Sequence, residues 1–307
     1  MNKKGVFFTI ITISLLSLFL ISYSIYSYVN NRESINQRVK TMNNFVYLVE
    51  QDLPRKLYVS GFRGLFLIEK RISENLTYTD NVTENFEEFF FQGTIDGYIK
   101  NSELNVTEGV LFEDIASSFN KKANIINVNI SMNNENVKIE QEDPWNVKFT
   151  LEVNIFIEDL AGLASWNSTK NFTARVPIEG FEDPVYTVNT NALAPNKINK
   201  TIYTGFSNTD STNLSGHSQN SYYIESSSAP SFLMRLEGDL SSDINGVESL
   251  VNRPKLEIVG ISTKDKSCVD HVYFNETYNP GSNLIQDMPN WFRLDNAHLS
   301  IYNATVA

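Results

Sequence analysis

The strongest constraint on this chain is an apolar run from Val6 to Val29 that contains no charged residue. As an α-helix the run would be about 36 Å long, slightly more than the roughly 30 Å hydrocarbon core of a bilayer. The run is therefore predicted to form one membrane-spanning helix. Lys3 and Lys4 precede it, and an excess of basic residues marks the cytoplasmic side of such a helix. We expect a single-pass protein of the cell membrane with a cytoplasmic N-terminus and an extracellular bulk.

A cleavable secretory signal is the alternative interpretation of the same run. Such a signal has a shorter apolar core that ends in small residues of the Ala-x-Ala type. Here the run ends in a Ser- and Tyr-rich stretch, from Ser22 to Tyr28, and Tyr is typical of a membrane interface. The pattern favours a helix that stays attached, although Ser-Tyr-Ser leaves a signal-peptidase cut open.

The residues around the start of the run carry a family resemblance. Lys3, Lys4 and Gly5, followed at once by Val6 and the apolar helix, resemble the class III leader of type IV pilin-like proteins, especially archaeal ones. The resemblance implies cleavage after Gly5 by a prepilin-type peptidase. It also implies that residues 6–29 stay in the lipid bilayer or pack against other pilin-like subunits. An uncleaved anchor that happens to contain Lys-Gly is the alternative.

Composition limits what the remaining chain can be. With 307 residues, 41% of them hydrophobic and 12% aromatic, the chain is predicted to be globular, with enough apolar material for two modest extracytoplasmic domains. The net charge of -11 argues against a nucleic-acid partner, because phosphate binding needs clustered basic residues. Cys268 is the only cysteine, so stability must come from packing and not from an intrachain disulfide.

Asn-x-Ser/Thr sequons are frequent and suggest an extracytoplasmic glycoprotein. The possible glycosylation sites are Asn75, Asn81, Asn105, Asn129, Asn167, Asn171, Asn199, Asn213, Asn275 and Asn303.

Beyond the membrane run, apolar residues recur at steps of four and three, which places them in one stripe on a helix. The stripe consists of Ile35, Val39, Met42, Val46, Val49 and Leu53. It could pack on its own domain, which we favour, or against a second copy as a coiled coil. Pro54 predicts a break or kink before a second helix over 55–72. Shorter helices are predicted over 81–92, capped by Asp80, and over 108–122, capped by Thr107.

Strict alternation of apolar and polar residues then predicts four strands, over 126–132, 137–139, 147–157 and 172–178. Short turns between them indicate an antiparallel meander whose apolar face needs a cover, and the helical stripe is the expected cover. Asn129, Asn167 and Asn171 fall on the polar face. A long helix across a four-stranded meander is also the architecture that the pilin resemblance implies.

The predicted fold class is α+β, with a mostly-β C-terminal unit added to this helix and meander. The expected order is a basic leader (1–5), the membrane or assembly helix (6–29), the helix-and-meander ectodomain (30–188), a Ser/Asn-rich linker or long loop (189–229) and the C-terminal domain (230–307). Within that last domain, apolar stretches predict strands over 232–236, 256–261, 269–274 and 299–306, with one helical turn over 247–251.

Residues that could carry chemistry are few. Cys268, Asp270 and His271 lie close in sequence, and Asp295 and His298 follow, so a metal site or a Cys-His pair is conceivable. On a strand, however, Cys268 and His271 would point to opposite faces. We therefore predict a buried cysteine, surface histidines, and no catalytic, cofactor-binding or metal-binding residue. His217 is expected to be solvated in the linker.

No phosphate-binding, dinucleotide-binding, metalloprotease or Gly-x-Ser-x-Gly motif occurs in the sequence. Four aromatic residues could bind sugars or a partner protein, although packing is the more common role of such rings. They are Tyr222, Tyr223, Trp291 and Phe292.

Three hypotheses about function follow. The favoured one is a pilin-like, membrane-anchored surface protein with a structural, adhesion or display role, without enzymatic activity or a cofactor. The alternatives are a monomeric anchored module that binds glycans or proteins, and an anchored hydrolase or metalloenzyme that uses the region from Cys268 to His298.

Overall fold

The computed structural model describes residues 3–100 and 103–307, and within them all side chains except those of residues 3, 4, 31, 134 and 135. The chain divides into two compact units. The first unit comprises Met1–Asp52, Ala116–Asn133 and Val153–Lys170, and the second comprises Leu53–Ile115, Asn134–Glu152 and Asn171–Ala307. Several elements continue from one unit into the other.

Helix α1 is one continuous element, Lys3–Asn75, with Pro54 inside it. The predicted division at Pro54 into two helices is therefore wrong. Proline removes one backbone hydrogen bond and crowds the preceding turn, which disfavours a helix interior. Here Leu53 and Leu57 on either side of the proline are fully buried. Burial of these flanking leucines supplies packing energy that offsets the local penalty.

Three shorter helices follow: α2 (Val82–Gln92), α3 (Leu104–Thr107) and α4 (Phe112–Ile125). Helix α2 begins at Asn81, whose side chain accepts hydrogen bonds from the amides of Thr83 and Glu84, so the cap is Asn81 and not Asp80. It ends as predicted at Gly93, which adopts the left-handed conformation. Helix α4 begins four residues later than predicted, because residues 108–111 form a turn.

The sheet contains β1 (Val128–Asp143), β2 (Asn146–Asp159) and β3 (Ser165–Pro177), in the order β1-β2-β3. The α+β class, with a long apolar N-terminal helix and an antiparallel sheet, is thus confirmed. The first two predicted strands both lie within β1. Buried residues are even-numbered at Val128 and Ile130 but odd-numbered at Val137 and Ile139. Because side chains alternate strictly along a regular strand, the pleat must be interrupted between them.

In the first unit, α1 packs on the sheet. Arg38 lies 3.7 Å from Asp159 of β2 and donates to the carbonyl of Ile126 at 3.3 Å, while Glu50 accepts a hydrogen bond from Lys170 of β3. Met42, Phe45 and Val49 are buried on the same length of helix.

The buried stripe on α1 is shorter than the predicted one. Met42, Val49 and Leu53 are buried and Val46 is half-buried, but Ile35 and Val39 remain exposed. Burial along the stripe begins at Met42 and not at Ile35. Periodicity indicates which face of a helix is apolar, but it does not indicate how far along the helix the covering sheet extends.

In the second unit, two glycines bring α1 against aromatic rings. A Cβ atom on Gly61 would lie 2.7 Å from the ring of Phe149 on β2, and one on Gly64 would lie 2.6 Å from the ring of Phe86 on α2. The rings of Phe86 and Phe149 are themselves 4.7 Å apart. The absent side chains thus let helix α1 approach a buried aromatic cluster.

The remaining elements of the second unit are short. The helices are α5 (Pro184–Asn189), α6 (Thr212–Asn220), α7 (Phe232–Glu237), α8 (Arg253–Ile258) and α9 (Asp270–Phe274). The strands are β4 (Tyr223–Glu225), β5 (Val247–Ser249), β6 (Asn283–Leu284) and β7 (Arg293–Leu294), with β4 antiparallel to β5 and β6 antiparallel to β7.

Several predictions for this part of the chain are wrong. The stretches 232–236, 256–261 and 269–274 contain helices and not strands, and 247–251 contains a strand and not a helical turn. Short apolar runs do not distinguish a buried strand from a buried helix by period alone. The segment 189–229, predicted to be a linker or long loop, likewise contains α6, β4 and buried residues such as Leu214 and Tyr223. The prediction missed these elements because few apolar residues occur among the many Ser and Asn residues of this segment.

A charge placed on the buried stripe should disrupt the first unit. In Val49→Asp a carboxylate would replace a side chain that is 1% exposed, and we expect unfolding to become easier by at least about 3 kcal/mol, because a buried charge without a partner is strongly unfavourable. Urea unfolding of the detergent-solubilised chain, followed by circular dichroism, measures this. Tyr47→Asp, at a position 64% exposed, is the matched control and should change stability by about 0.5 kcal/mol or less. Equal effects of the two changes would contradict the packing described here.

The Gly61 contact predicts a specific coupling. Gly61→Val places a side chain where the Phe149 ring now lies, and we expect a loss of about 3 kcal/mol. Combined with Phe149→Ala, the same valine would enter vacated space, so the double variant should be more stable than the sum of the two single changes by at least about 1 kcal/mol. The same unfolding assay tests this, and simple additivity would exclude the contact.

Candidate functional site

The apolar part of α1 is the first candidate site. Its large hydrophobic side chains between Val6 and Val29 are each 38% or more exposed. Among the described residues, α1 is the one helix long and apolar enough to cross a membrane. A long apolar helix of this kind is compatible with anchoring in a bilayer.

Polar side chains within this segment are satisfied locally. The hydroxyl of Thr9 donates to the carbonyl of Val6 at 2.8 Å, and that of Thr12 donates to the carbonyl of Phe8 at 2.8 Å. Hydrocarbon offers no hydrogen-bond partner, so internal bonds of this kind suit a lipid environment.

The leader residues lie at the first turns of α1. Gly5 is exposed and Val6 is 42% exposed, so the backbone between them is not covered by the rest of the described chain. The side chains of Lys3 and Lys4 lie outside the described residues.

All ten sequon asparagines belong to the described part of the chain, and each is exposed or half-buried. Asn129, Asn167 and Asn171 are all exposed, and each lies between strand neighbours that are buried or half-buried. They therefore lie on the face of the sheet that the sequence predicted to be polar. Five of the ten side chains bond backbone groups. Asn199, Asn213 and Asn303 each donate to a carbonyl, and Asn81 and Asn275 accept hydrogen bonds from nearby amides.

A buried ion pair network lies in the second unit. Arg235 on α7 is fully buried and donates to Asp183 at 2.6 Å and to Asp270 at 3.1 Å. Tyr223 donates to Asp183 at 2.7 Å, and the hydroxyl of Ser249 donates to Asp270 at 2.8 Å. One guanidinium group thus joins segments that are far apart in sequence.

The charges in this network are set by burial and by Arg235. Burial alone would raise the pKa of Asp270, but the charge of Arg235 and the neighbouring imidazole of His271 hold that pKa below its usual range. Asp270 is therefore ionised and forms a buried charged pair with Arg235. Such a pair is strongly destabilising to break, because the remaining charge stays buried.

A second buried cluster adjoins this network. Glu248 on β5, His271 on α9 and His298 in the turn after β7 each offer one atom to a group that spans no more than 4.8 Å. All three side chains are buried. His298 Nε2 lies 3.4 Å from a carboxylate oxygen of Glu248, and His271 Nδ1 lies 3.4 Å from Asp270.

Asp295 orients one of these histidines. The Nδ1 atom of His298 lies 2.8 Å from both carboxylate oxygens of Asp295, and Asp295 also accepts a hydrogen bond from the hydroxyl of Ser267 at 2.8 Å. Burial would lower the pKa of His298, but the hydrogen bond to Asp295 and the nearby carboxylate of Glu248 raise it to about 10. Without another cation, His298 therefore carries a proton at neutral pH.

The structure brings together some of the sequence-selected residues and separates others. His271 and His298 meet, although the predicted strand geometry had placed them on an exposed surface, because Asp270–Phe274 is a helix. Cys268 does not join them: its sulfur accepts a hydrogen bond from the Arg293 amide at 3.4 Å, and burial raises the pKa of its thiol to about 11. Both described hydrogen-bond partners of the Cys268 sulfur are backbone groups, at Trp291 and Arg293.

His217 is also placed differently from the expectation. It is fully buried on α6, its Nδ1 lies 3.0 Å from the hydroxyl of Thr201, and burial lowers its pKa to about 4. Of the four aromatic residues considered for recognition, Tyr223 and Phe292 are core residues, and Tyr222 and Trp291 are half-buried.

A surface cavity of about 570 Å³ is lined within the second unit by the half-exposed rings of Phe62 and Phe66, by Phe181 and by Glu69 and Lys197. Burial raises the pKa of Glu69 to about 8, so this carboxyl group is mostly protonated at neutral pH. The cavity is thus mainly apolar.

Comparisons of this chain with protein-family models, with curated proteins and with solved structures find no match.

Removal of the buried guanidinium should destabilise the second unit. Arg235→Met leaves Asp183 and Asp270 without their counter-charge, and we expect a loss of about 3–5 kcal/mol in urea unfolding at pH 7. The folded-state pKa of Asp270 lies below its unfolded value, so its contribution is present above about pH 4 and is lost as the pH falls further. Arg175→Met, which breaks the exposed pair with Glu142, is the control and should have a much smaller effect, because solvent screens an exposed pair. An effect of Arg235→Met no larger than this control would show that the network is dispensable.

Proposed function

We propose that this chain is a single-pass, membrane-anchored surface protein of the pilin-like type, with a structural, adhesion or display role and no catalytic activity. One observation carries the proposal: α1 is exposed and apolar over residues 6–29 and is part of the folded core from Met42 onward. A helix of this kind suits a segment that is retained after export, because its later turns cannot be removed without loss of the sheet's cover.

Other features support the same proposal. The Lys3-Lys4-Gly5 leader is followed directly by the apolar run, which is the arrangement that a prepilin-type peptidase would process. The basic residues before the run favour a cytoplasmic N-terminus, and the exposed sequons suit an extracellular body. In this proposal residues 6–29 contact lipid, or other pilin-like subunits in an assembled state.

A monomeric anchored binding module is the second candidate, and the cavity beside Phe62 and Phe66 favours it. Exposed aromatic rings suit stacking against a sugar or an apolar side chain. In that case the helix would serve only as an anchor.

The N-terminus of the mature protein separates these two functions. Mass spectrometry of the protein extracted from membranes of its native host should give a chain that begins at Val6, and Gly5→Leu should leave the leader attached without loss of membrane association. Thr12→Ala, in the same helix but outside the leader, is the control and should be processed normally. An intact Met1 would favour the plain anchor, and soluble material that begins beyond Tyr28 would overturn both forms of anchoring.

A further inference from the structure

We infer that Glu248, His271 and His298 form a closed binding site for one divalent metal ion of the Zn²⁺ class, with a structural role in the second unit. The inference is independent of the membrane-anchoring proposal. It rests on the origin of the three ligands, on polar atoms that lack partners, and on the support behind His298.

The three side chains come from three different segments of the second unit. Glu248 lies on β5, His271 on α9, and His298 in the turn after β7. Their ligand atoms nevertheless lie within 4.8 Å of one another. Zinc binds nitrogen and oxygen at about 2.0–2.1 Å, which places neighbouring ligands of a tetrahedral site about 3.3 Å apart. The 3.4 Å between His298 Nε2 and Glu248 matches this spacing.

Several buried polar atoms in the cluster lack a hydrogen-bond partner among the described residues. They are both carboxylate oxygens of Glu248, Nε2 of His298, Nδ1 of His271 and the hydroxyl of Tyr302. Glu248 is fully buried, and a buried carboxylate without donors is costly. A bound cation would satisfy the oxygens of Glu248 and a ring nitrogen of each histidine together.

The surroundings of His298 are those of a metal ligand. Its Nδ1 donates to Asp295, which is held in turn by the hydroxyl of Ser267 and by the amide of Ala297 at 3.0 Å. Metal-binding histidines commonly donate their second ring nitrogen to a carboxylate in this way, which fixes the ring and directs the other lone pair at the metal. Here the other nitrogen is Nε2, and it faces Glu248.

The ligand set and its burial indicate the class of ion and its role. Two imidazole groups and one carboxylate suit Zn²⁺ and other first-row divalent ions better than Mg²⁺ or Ca²⁺, which prefer oxygen ligands. Each ligand residue is 7% exposed or less, so a substrate has no open approach. Because the chain contains one cysteine, a metal ion is the crosslink available to join these three segments.

The competing occupant is a proton on His298 Nε2, which would make the cluster a simple ion pair with Glu248. The two occupants differ in how the unaltered chain and Glu248→Gln respond to zinc. If metal is the native occupant, zinc displaces the proton and raises the Tm of the unaltered chain, and Glu248→Gln removes this rise. If a proton is the occupant, zinc changes the Tm of neither protein, and Glu248→Gln only removes the counter-charge of His298.

The test uses the full chain in detergent, treated with a chelator, dialysed, and titrated with zinc chloride at pH 7.5. We expect one zinc per chain by mass spectrometry of the metal, and an increase in Tm of about 5 °C at zinc concentrations far above Kd. Titration with Co²⁺ should give visible absorption bands from an ion bound by two imidazole groups and a carboxylate, and these bands should be absent in Glu248→Gln. Glu248→Gln, His271→Gln and His298→Gln should each reduce zinc affinity at least about 10-fold.

His217→Gln is the matched control, because His217 is the third histidine of the chain and is buried outside the cluster. It should bind zinc like the unaltered protein. Zinc uptake by the unaltered chain no greater than that of Glu248→Gln, or a rise in Tm that persists in Glu248→Gln, would overturn the inference. Loss of folding in His271→Gln or His298→Gln would leave the decision to Glu248→Gln and the Co²⁺ spectrum.

Discussion

The structure depends on the internal hydrogen bonding of helix α1. A helix satisfies its own backbone groups, so the same element can lie in hydrocarbon at one end and in a protein core at the other. Residues 6–29 leave their large apolar side chains exposed, and from Met42 onward one face of the helix is buried. The change is made by side chains alone, while the backbone remains one helix from Lys3 to Asn75.

The second unit is stabilised in a different manner. After β3, its described helices are six residues or shorter except for α6, and its described strands are three residues or shorter. Short elements provide little stability by themselves. Buried charged groups such as Arg235, Asp183 and Asp270 hold neighbouring segments in a defined arrangement. Removing one of these groups would leave the charge of its partner buried and uncompensated, which is strongly destabilising.

Sequence patterns predicted the parts of this fold in which the same apolar pattern repeats many times. The apolar run, the buried stripe from Met42 and the alternation in β2 each contain enough repeats to decide between helix and strand. The patterns did not predict that α1 continues through Pro54, because packing of Leu53 and Leu57 outweighs a local penalty. They also failed for α7 and α9, which are six and five residues long and therefore too short for the apolar pattern to distinguish a helix from a strand.

The buried cluster of the second unit was only half visible in the sequence. His271 and His298 stood out as rare residue types, whereas Glu248 is one of many acidic residues and lies in a segment predicted to be helical. Nothing in the spacing of the three residues indicates a site, because they meet only through tertiary packing. The burial of Glu248 within strand β5 is what indicates a site, and this burial is known only from the structure.

The position of β3 at the end of the sheet order limits how copies of this chain could join. An end strand offers unpaired backbone groups that invite another sheet to extend it, and charged side chains discourage that extension. Lys170 and Arg175 lie along β3 and are engaged with Glu50 and Glu142. Extension of the sheet through β3 is thereby opposed, so a contact between copies of the chain is favoured at surfaces other than this edge.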